Sequence, residues 1–485
     1  MGRLGIGGLS RRYKLRKVTL ALVVMLIVFA PIALSRLMTE TADGGHVHGL
    51  MILPFVLLLF SIALVPLMDA RWWERYYPGV SLGLALIAVI YYVLVTGESG
   101  RMVRTANEYL SFMALIGSLY VVSGGIYVRI RGRSTPLVNT VLLALGAVMS
   151  NFLGTTGASM VLIRPFVRIN RYRISGYHVV FFIFIVCNIG GMLTPIGDPP
   201  LFLGYLKGVP FLWVITHIWS IWLIATGPVL LVFYLIDRRN FRRLPAALGH
   251  EIAEKGEHPS VGGLGNLVFL AAILGAVFLP RPVREIVMLA AALASGLSTH
   301  REVHDRNAFD LAPLKEVAVL FAGIFATVTP VMDWVQMNAA SLGITRTGQF
   351  YWGSGILSSV LDNAPTYLNF LSLACGLHGL SVDNPLHVKA LLGLLPPQAA
   401  GNPISHVIHG ALAPPGESWR YVLAISAASV MFGALTYIGN GPNLMVKSIA
   451  ERSHVRMPSF FAYIIAYSIP VLIPVFVIIW LGFFF

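Results

Sequence analysis

Two ten-residue stretches carry side chains suited to chemistry: LTPIGDPPLF at 193–202 and LTYIGNGPNL at 435–444. The second keeps the Leu, Thr, Ile, Gly and final Pro of the first and puts Asn440 where the first has Asp198. Each interrupts a long apolar run. Proline removes an amide donor and blocks helical continuation, and glycine permits unusual backbone angles, so both stretches free backbone carbonyls and amides. Freed carbonyls coordinate small cations and half-helix amino termini attract anions. Asp198, Asn440 and Asn443 add hard oxygen ligands, and Thr194, Gly197 and Gly439 belong to the same turns. A proline kink that only shapes packing is the bland alternative. An acidic residue in the kink and a matching second copy argue for a binding site.

Each stretch follows an apolar segment broken midway by polar residues. In MSNFLGTTGASMVLIRPF, 149–166, Ser150, Asn151, Thr155, Thr156 and Ser159 cluster with Gly154 and Gly157, which allow a tight tip. Small polar residues also serve as helix contacts in membranes, and for Ser159 that reading weighs as much as a binding role. In SSVLDNAPTYLNFL, 358–371, Asp362 is followed by Asn363 and Thr366. An aspartate at membrane depth costs roughly 2.5–3.5 kcal/mol on insertion scales, so Asp362 is expected to face a cavity and bind a cation or exchange a proton.

The elements that must position these residues are membrane helices. Of 485 residues 56% are hydrophobic and only 12% charged, with mean hydropathy +0.77, and segments of 17 or more nearly uncharged residues recur along the chain. Crossings are expected at about 18–37, 49–68, 79–96, 108–129, 177–204, 211–236, 264–280, 283–299, 313–331, 419–449 and 459–484, so the fold class is an all-α polytopic membrane protein with about 11 transmembrane helices. The net charge of +14 gathers in short segments between apolar runs, where it sets topology rather than binding nucleic acid. Cys187 and Cys375 lie in apolar surroundings as packing residues. His46/His48 and His406/His409 have ligand-like spacing but lie in expected outside loops without a carboxylate or Cys cluster, and read as loop histidines. No Walker A or covalent-nucleophile motif is present, so the chain is not expected to be an enzyme or to use ATP.

Basic flanks place the N-terminus in the cytoplasm and the C-terminus outside. They also put both ends of 136–165 in the cytoplasm, making it a re-entrant hairpin, and both ends of a second hairpin, 349–375, outside. Arg101 and Arg104, and Arg281 and Arg284, fall in presumed outside loops against this rule. The expected domains are a cytoplasmic tail 1–17, a first helix and outside loop 18–48, a repeat 49–236 with broken helix 177–204, a cytoplasmic linker 237–262, and a repeat 263–485. The second repeat holds an outside insertion 376–418 and broken helix 419–449. Hairpin then broken helix occurs twice with opposite orientation, an inverted repeat, and such paired breaks point to a substrate site near the midplane.

The paired hairpins and Pro/Gly-broken helices resemble the ion transporter superfamily, which includes divalent-anion/sodium symporters, citrate transporters, arsenite-permease-like proteins and NhaD-type sodium/proton antiporters. The resemblance runs from about 49 to 484. It implies an elevator-type homodimer in a bacterial inner (plasma) membrane, with no cofactor and with transported Na⁺ and H⁺. In the dicarboxylate branch each hairpin tip carries Ser-Asn-Thr; here Ser150-Asn151 matches but Phe152 departs, and the second tip reads Asp362-Asn363-Ala364. Asp362 to Pro365 and Pro195 to Asp198 are more similar to the NhaD-type antiporters, while Asp198-Pro199-Pro200 also resembles the citrate branch. The expected function is therefore sodium/proton antiport, with Asn151, Asp198, Asp362, Asn363 and Asn440 as sodium ligands and Asp362 and Asp198 as proton carriers. The second reading is citrate or dicarboxylate transport coupled to sodium or protons; a non-transporting membrane scaffold or receptor comes third.

Overall fold

The computed structural model describes residues 47–129, 134–243, 260–307, 309–395 and 417–485. The expected tail 1–17, the first crossing 18–37, His46, most of the linker, and His406 and His409 lie outside the described residues. The chain is an all-α membrane protein, with one short two-stranded ribbon among the described residues. Seven helical stretches among the described residues are long and apolar enough to cross a membrane.

The first three helices are α1 (Leu53–Met68), α2 (Ala70–Ile90) and α3 (Ser99–Gly124). Strand β1 (Tyr127–Arg129) follows, then α4 (Pro136–Ile169), α5 (Gly176–Ile185), α6 (Pro199–Leu206) and α7 (Phe211–Phe241). Strand β2 (Ser260–Gly262) pairs antiparallel with β1, Tyr127 opposite Gly262. Next come α8 (Asn266–Ala276), α9 (Val283–Ser298), α10 (Arg301–Asn307), α11 (Ala312–Met337), α12 (Thr347–Val360) and α13 (Asn363–Leu377). The chain closes with α14 (Pro385–Leu391), α15 (Trp419–Met431), α16 (Gly441–Arg452), α17 (Phe460–Tyr463) and α18 (Ile469–Phe483).

Helices α1 to α3, α8, α9 and α11 pack on one another. Phe112 of α3 stacks on Phe321 of α11 with ring centres 4.7 Å apart, Ser81 of α2 donates to the Val319 carbonyl at 3.0 Å, and Ser295 of α9 donates to Asn266 of α8 at 2.5 Å. In membranes such small and polar contacts supply the helix association that hydrophobicity alone does not. The rest of the chain packs against this group mainly through α4, α6 and α13 on α3 and α11.

Helix α4 is not one rod. At about 1.5 Å per residue its 34 residues would span about 51 Å, yet Ser134 just before it donates to Asn170 just after it at 2.6 Å, and Asn139 donates to the same oxygen at 2.8 Å. The reversal is at Gly154, whose φ of 71° and ψ of 157° belong to a region that only glycine occupies without strain. The hairpin reaches four residues beyond the expected 165, because Pro165 lies inside its second leg rather than ending it. Helices α12 and α13 form a second hairpin through Leu361 and Asp362, with Phe350 and Phe370 facing across it edge to face, ring centres 6.0 Å apart. At 14 and 15 residues its legs are about 21–22 Å long, shorter than the roughly 30 Å hydrocarbon core.

The two arginines that most offend the basic-flank rule are not free loop charges. Arg101 is only 4% exposed and pairs with Asp333 at 2.7 Å and Asp383 at 2.8 Å. Arg284 is buried against Glu285 at 2.9 Å, and Arg281 reaches the same carboxylate at 3.3 Å. A charge neutralised inside the fold says little about which side of the membrane it faces.

Candidate functional site

The two broken helices have the same internal order. Helix α5 gives way to a 3₁₀ turn at Ile189–Leu193, an extended Thr194 and an extended Asp198 that starts α6. Helix α15 gives way to a 3₁₀ turn at Phe432–Leu435, an extended Thr436 and an extended Asn440 that starts α16. Glycine closes each break by close approach: a Cβ on Gly197 would lie 2.0 Å from the Gly191 carbonyl oxygen, and one on Gly439 2.7 Å from that of Gly433. Pro199, in the first turn of α6, loses no hydrogen bond there because that amide has no helical partner.

Both hairpin tips reach the first break. The amide of Thr155, freed by the turn at Gly154, donates to the Gly197 carbonyl at 2.8 Å, and its hydroxyl donates to Asp198 Oδ1 at 2.7 Å. From the second hairpin Asn363 Nδ2 donates to Asp198 Oδ2 at 2.5 Å. From the second break Asn440 Nδ2 donates to Asp198 Oδ1 at 3.1 Å across 242 residues of sequence. Asp198 is 1% exposed and is thus the point where four elements meet.

Its partners are neutral. Among the described residues no Lys, Arg or His forms an ion pair with Asp198 or with Asp362; the buried cations Arg101, Arg173, Lys207 and Arg284 have other acids. Asp237 shows how this fold treats an aspartate it keeps charged for structure. It is fully buried and takes both guanidinium arms of Arg173, with Nη2 at 2.8 Å, together with Tyr177 at 2.6 Å and Asn139 at 3.0 Å. The groups that donate to Asp198 are all dipoles, one hydroxyl and two amides, and the amino ends of α6, α13, α16 and the second leg of α4 also point at it. A buried carboxylate with no paired cation is costly to keep charged.

Asn363 Oδ1 is buried and accepts no hydrogen bond. Asp362 sits beside it, half-buried, and heads α13: its Oδ1 accepts from the Ala364 amide at 3.1 Å. Thr366 donates to the Asp362 carbonyl at 3.0 Å. Asn151 spans the first hairpin and first break, donating to the Gly190 carbonyl at 2.7 Å and accepting from the Leu193 amide at 3.0 Å, while Thr194 donates to its carbonyl at 2.8 Å. Ser150 holds the Val186 carbonyl at 2.8 Å, and Ser159 contacts Cys187 at 3.1 Å. Thr156 makes no hydrogen bond to this cluster.

Asn443 is committed to structure, donating to the Gly433 and Thr436 carbonyls at 2.9 and 3.0 Å and accepting from Asn188 at 2.8 Å. Asn188 was not among the residues singled out by the sequence. It is an amide at the end of an apolar run, and that isolation was the available signal. His48 is a turn residue, accepting from the Leu50 amide at 3.2 Å.

Compared with protein-family models, residues 44–484 match the one described as "Putative citrate transport". The chain belongs to that family. No curated protein sequence matches it. Membership makes the chain a citrate transporter-like member of the ion transporters, a secondary transporter rather than a member of an enzyme family, and an integral membrane protein whose partners are the lipid bilayer and small ions or anions.

Proposed function

We propose that this member of the citrate-transport family exchanges sodium for protons, and that both ions compete for the carboxylate of Asp198, with Asp362 beside it as a second acid. The observation that carries this reading is a buried aspartate at the meeting point of both hairpins and both broken helices that has three neutral donors and no cationic partner. Asp362, Asn151 and the unpartnered Asn363 oxygen supply further oxygens for a sodium ion. A carboxylate that binds either ion but not both couples their movements without any further device. In this reading the hairpins are re-entrant, the two halves are an inverted repeat, and the hairpins and broken helices slide as a unit past α1 to α3 and α8 to α11 within a homodimer, with the N-terminus in the cytoplasm.

A second reading, sodium- or proton-coupled uptake of citrate or a related organic anion, is favoured by the family's description. The amino ends of α13 and α16 would then face the anion's carboxylates. Proteoliposomes separate the two. Under an imposed pH gradient, antiport predicts radiolabelled sodium uptake that needs no citrate. Citrate uptake driven by a sodium gradient, with no citrate-independent sodium flux, would replace it with the second reading.

A further inference from the structure

Away from the Asp198 cluster, five charged side chains meet where the two packed groups of helices touch. Arg101 and Glu108 lie on α3 and Asp333 on α11; Lys207 ends α6, and Asp383 lies in the loop between α13 and α14. Lys207 is 3% exposed and its ammonium lies 2.8 Å from Glu108 and 2.7 Å from Asp383. Arg101 takes Asp383 at 2.8 Å and Asp333 at 2.7 Å, and Tyr92 donates to Asp333 at 2.5 Å. Burial acts to raise the Asp383 carboxyl, but the Lys207 and Arg101 charges override it and hold the group below the usual range.

The pairing has a particular order. Lys207–Asp383 joins two elements that accompany the hairpins and broken helices, and Arg101–Asp333 joins two helices of the other group. Only Lys207–Glu108 and Arg101–Asp383 cross between them. If the groups part, Lys207 and Arg101 each keep a partner on their own side, and neither buried cation is left alone, which is the costly outcome for a buried ion pair. Glu108 alone loses its ion, and at 21% exposure it already reaches solvent. Two neutral bonds cross nearby, from the Val382 amide to Gln336 at 3.0 Å and from the Tyr205 hydroxyl to the Val277 carbonyl at 2.7 Å. Lys207 also stands at the far end of the eight-residue helix that Asp198 begins, so the ion site and the crossing pairs are joined by one rigid element.

We propose that Arg101, Glu108, Lys207, Asp333 and Asp383 form a breakable latch that holds the hairpin-and-broken-helix group in one of its two transport positions. This rests on the reading of that group as the moving part. Two measurements on the full chain, with Cys187 and Cys375 replaced by alanine, test it. The first needs no cargo. Leu119 of α3 lies against the first hairpin tip, its Cδ1 3.8 Å from where a Cβ on Gly154 would stand, so a cysteine there becomes accessible to a water-soluble thiol reagent only when the groups part. Glu108→Gln, which leaves both same-side pairs intact, is expected to raise the labelling rate of Leu119→Cys about fivefold. In the second, a flexible thiol cross-linker joins Lys207→Cys to Glu108→Cys and is expected to stop sodium or citrate flux reversibly. The same reagent between Lys207→Cys and Asp383→Cys, within one group, is expected to leave at least about half of it. An unchanged labelling rate, or undiminished flux across the Lys207–Glu108 cross-link, overturns the latch. Failure of the parent protein to move either cargo would instead tell against the transport reading, and the labelling result would still stand.

Discussion

Asp198 and Asp237 are both aspartates with almost no exposed surface, and they differ in one respect: Asp237 has the guanidinium of Arg173 and Asp198 has only a hydroxyl and two amides. That contrast, more than burial itself, is why Asp237 reads as structural and why we propose Asp198 as the ion-binding acid. Asp362 stands between the two cases, because its carboxylate also caps α13. Asparagine caps a helix about as well as aspartate. Asp362→Asn is therefore expected to leave the melting temperature of the purified protein within a few degrees while sodium-driven proton movement falls about tenfold or more. Loss of the fold with loss of transport would make the cap its main duty. Much of this site was legible in the sequence, since an acid or amide beside Pro and Gly in an apolar run has few other uses. Asn188, Lys207 and Glu108 were not, because each is an ordinary polar residue near a helix end until distant partners are brought to it.

At the level of elements, a hairpin and a single long crossing can have the same apolar length, and the 34 residues of α4 illustrate it. What separated them in the sequence was arginine on both flanks; what separates them in the structure is Ser134 against Asn170. Arg101 and Arg284, the exceptions to the basic-flank rule, are both paired with acids, and the sequence alone does not show that Arg101 is neutralised by Asp333, more than 200 residues away. Helix starts were also read too late. The polar first turn of α2 is held by the local cap from Asp69 to the Trp72 amide, and that of α3 by the pairing of Arg101 with Asp333, neither of which an apolar window registers. If the two halves are inverted, exposed cysteines at Arg171→Cys, beside the first hairpin, and at Ser341→Cys and Leu386→Cys, on either side of the second, will report it. Impermeant reagent is expected to label the last two from one side of the membrane and Arg171→Cys from the other. Labelling of Ser341→Cys and Leu386→Cys from opposite sides would make the second hairpin a true crossing and remove the inverted repeat.

For the whole molecule, the family match and the geometry speak to different questions. The match places residues 44–484 in the family described as "Putative citrate transport", whereas the meeting of four elements on Asp198 is the basis on which we propose the coupling ion. In the proposed exchange this carboxylate binds sodium, so the most direct test is sodium binding itself. Radiolabelled sodium binding to the purified, detergent-solubilised protein, measured across a pH series, is predicted to be saturable. Its apparent affinity is predicted to weaken as pH falls, approaching about tenfold per pH unit where the carboxylate is mostly protonated. Asp198→Asn keeps the shape of the site, because Asn363 can turn its unpartnered oxygen toward the new amide, and is predicted to abolish that binding. Sodium binding of unchanged affinity and pH dependence in Asp198→Asn would contradict the account.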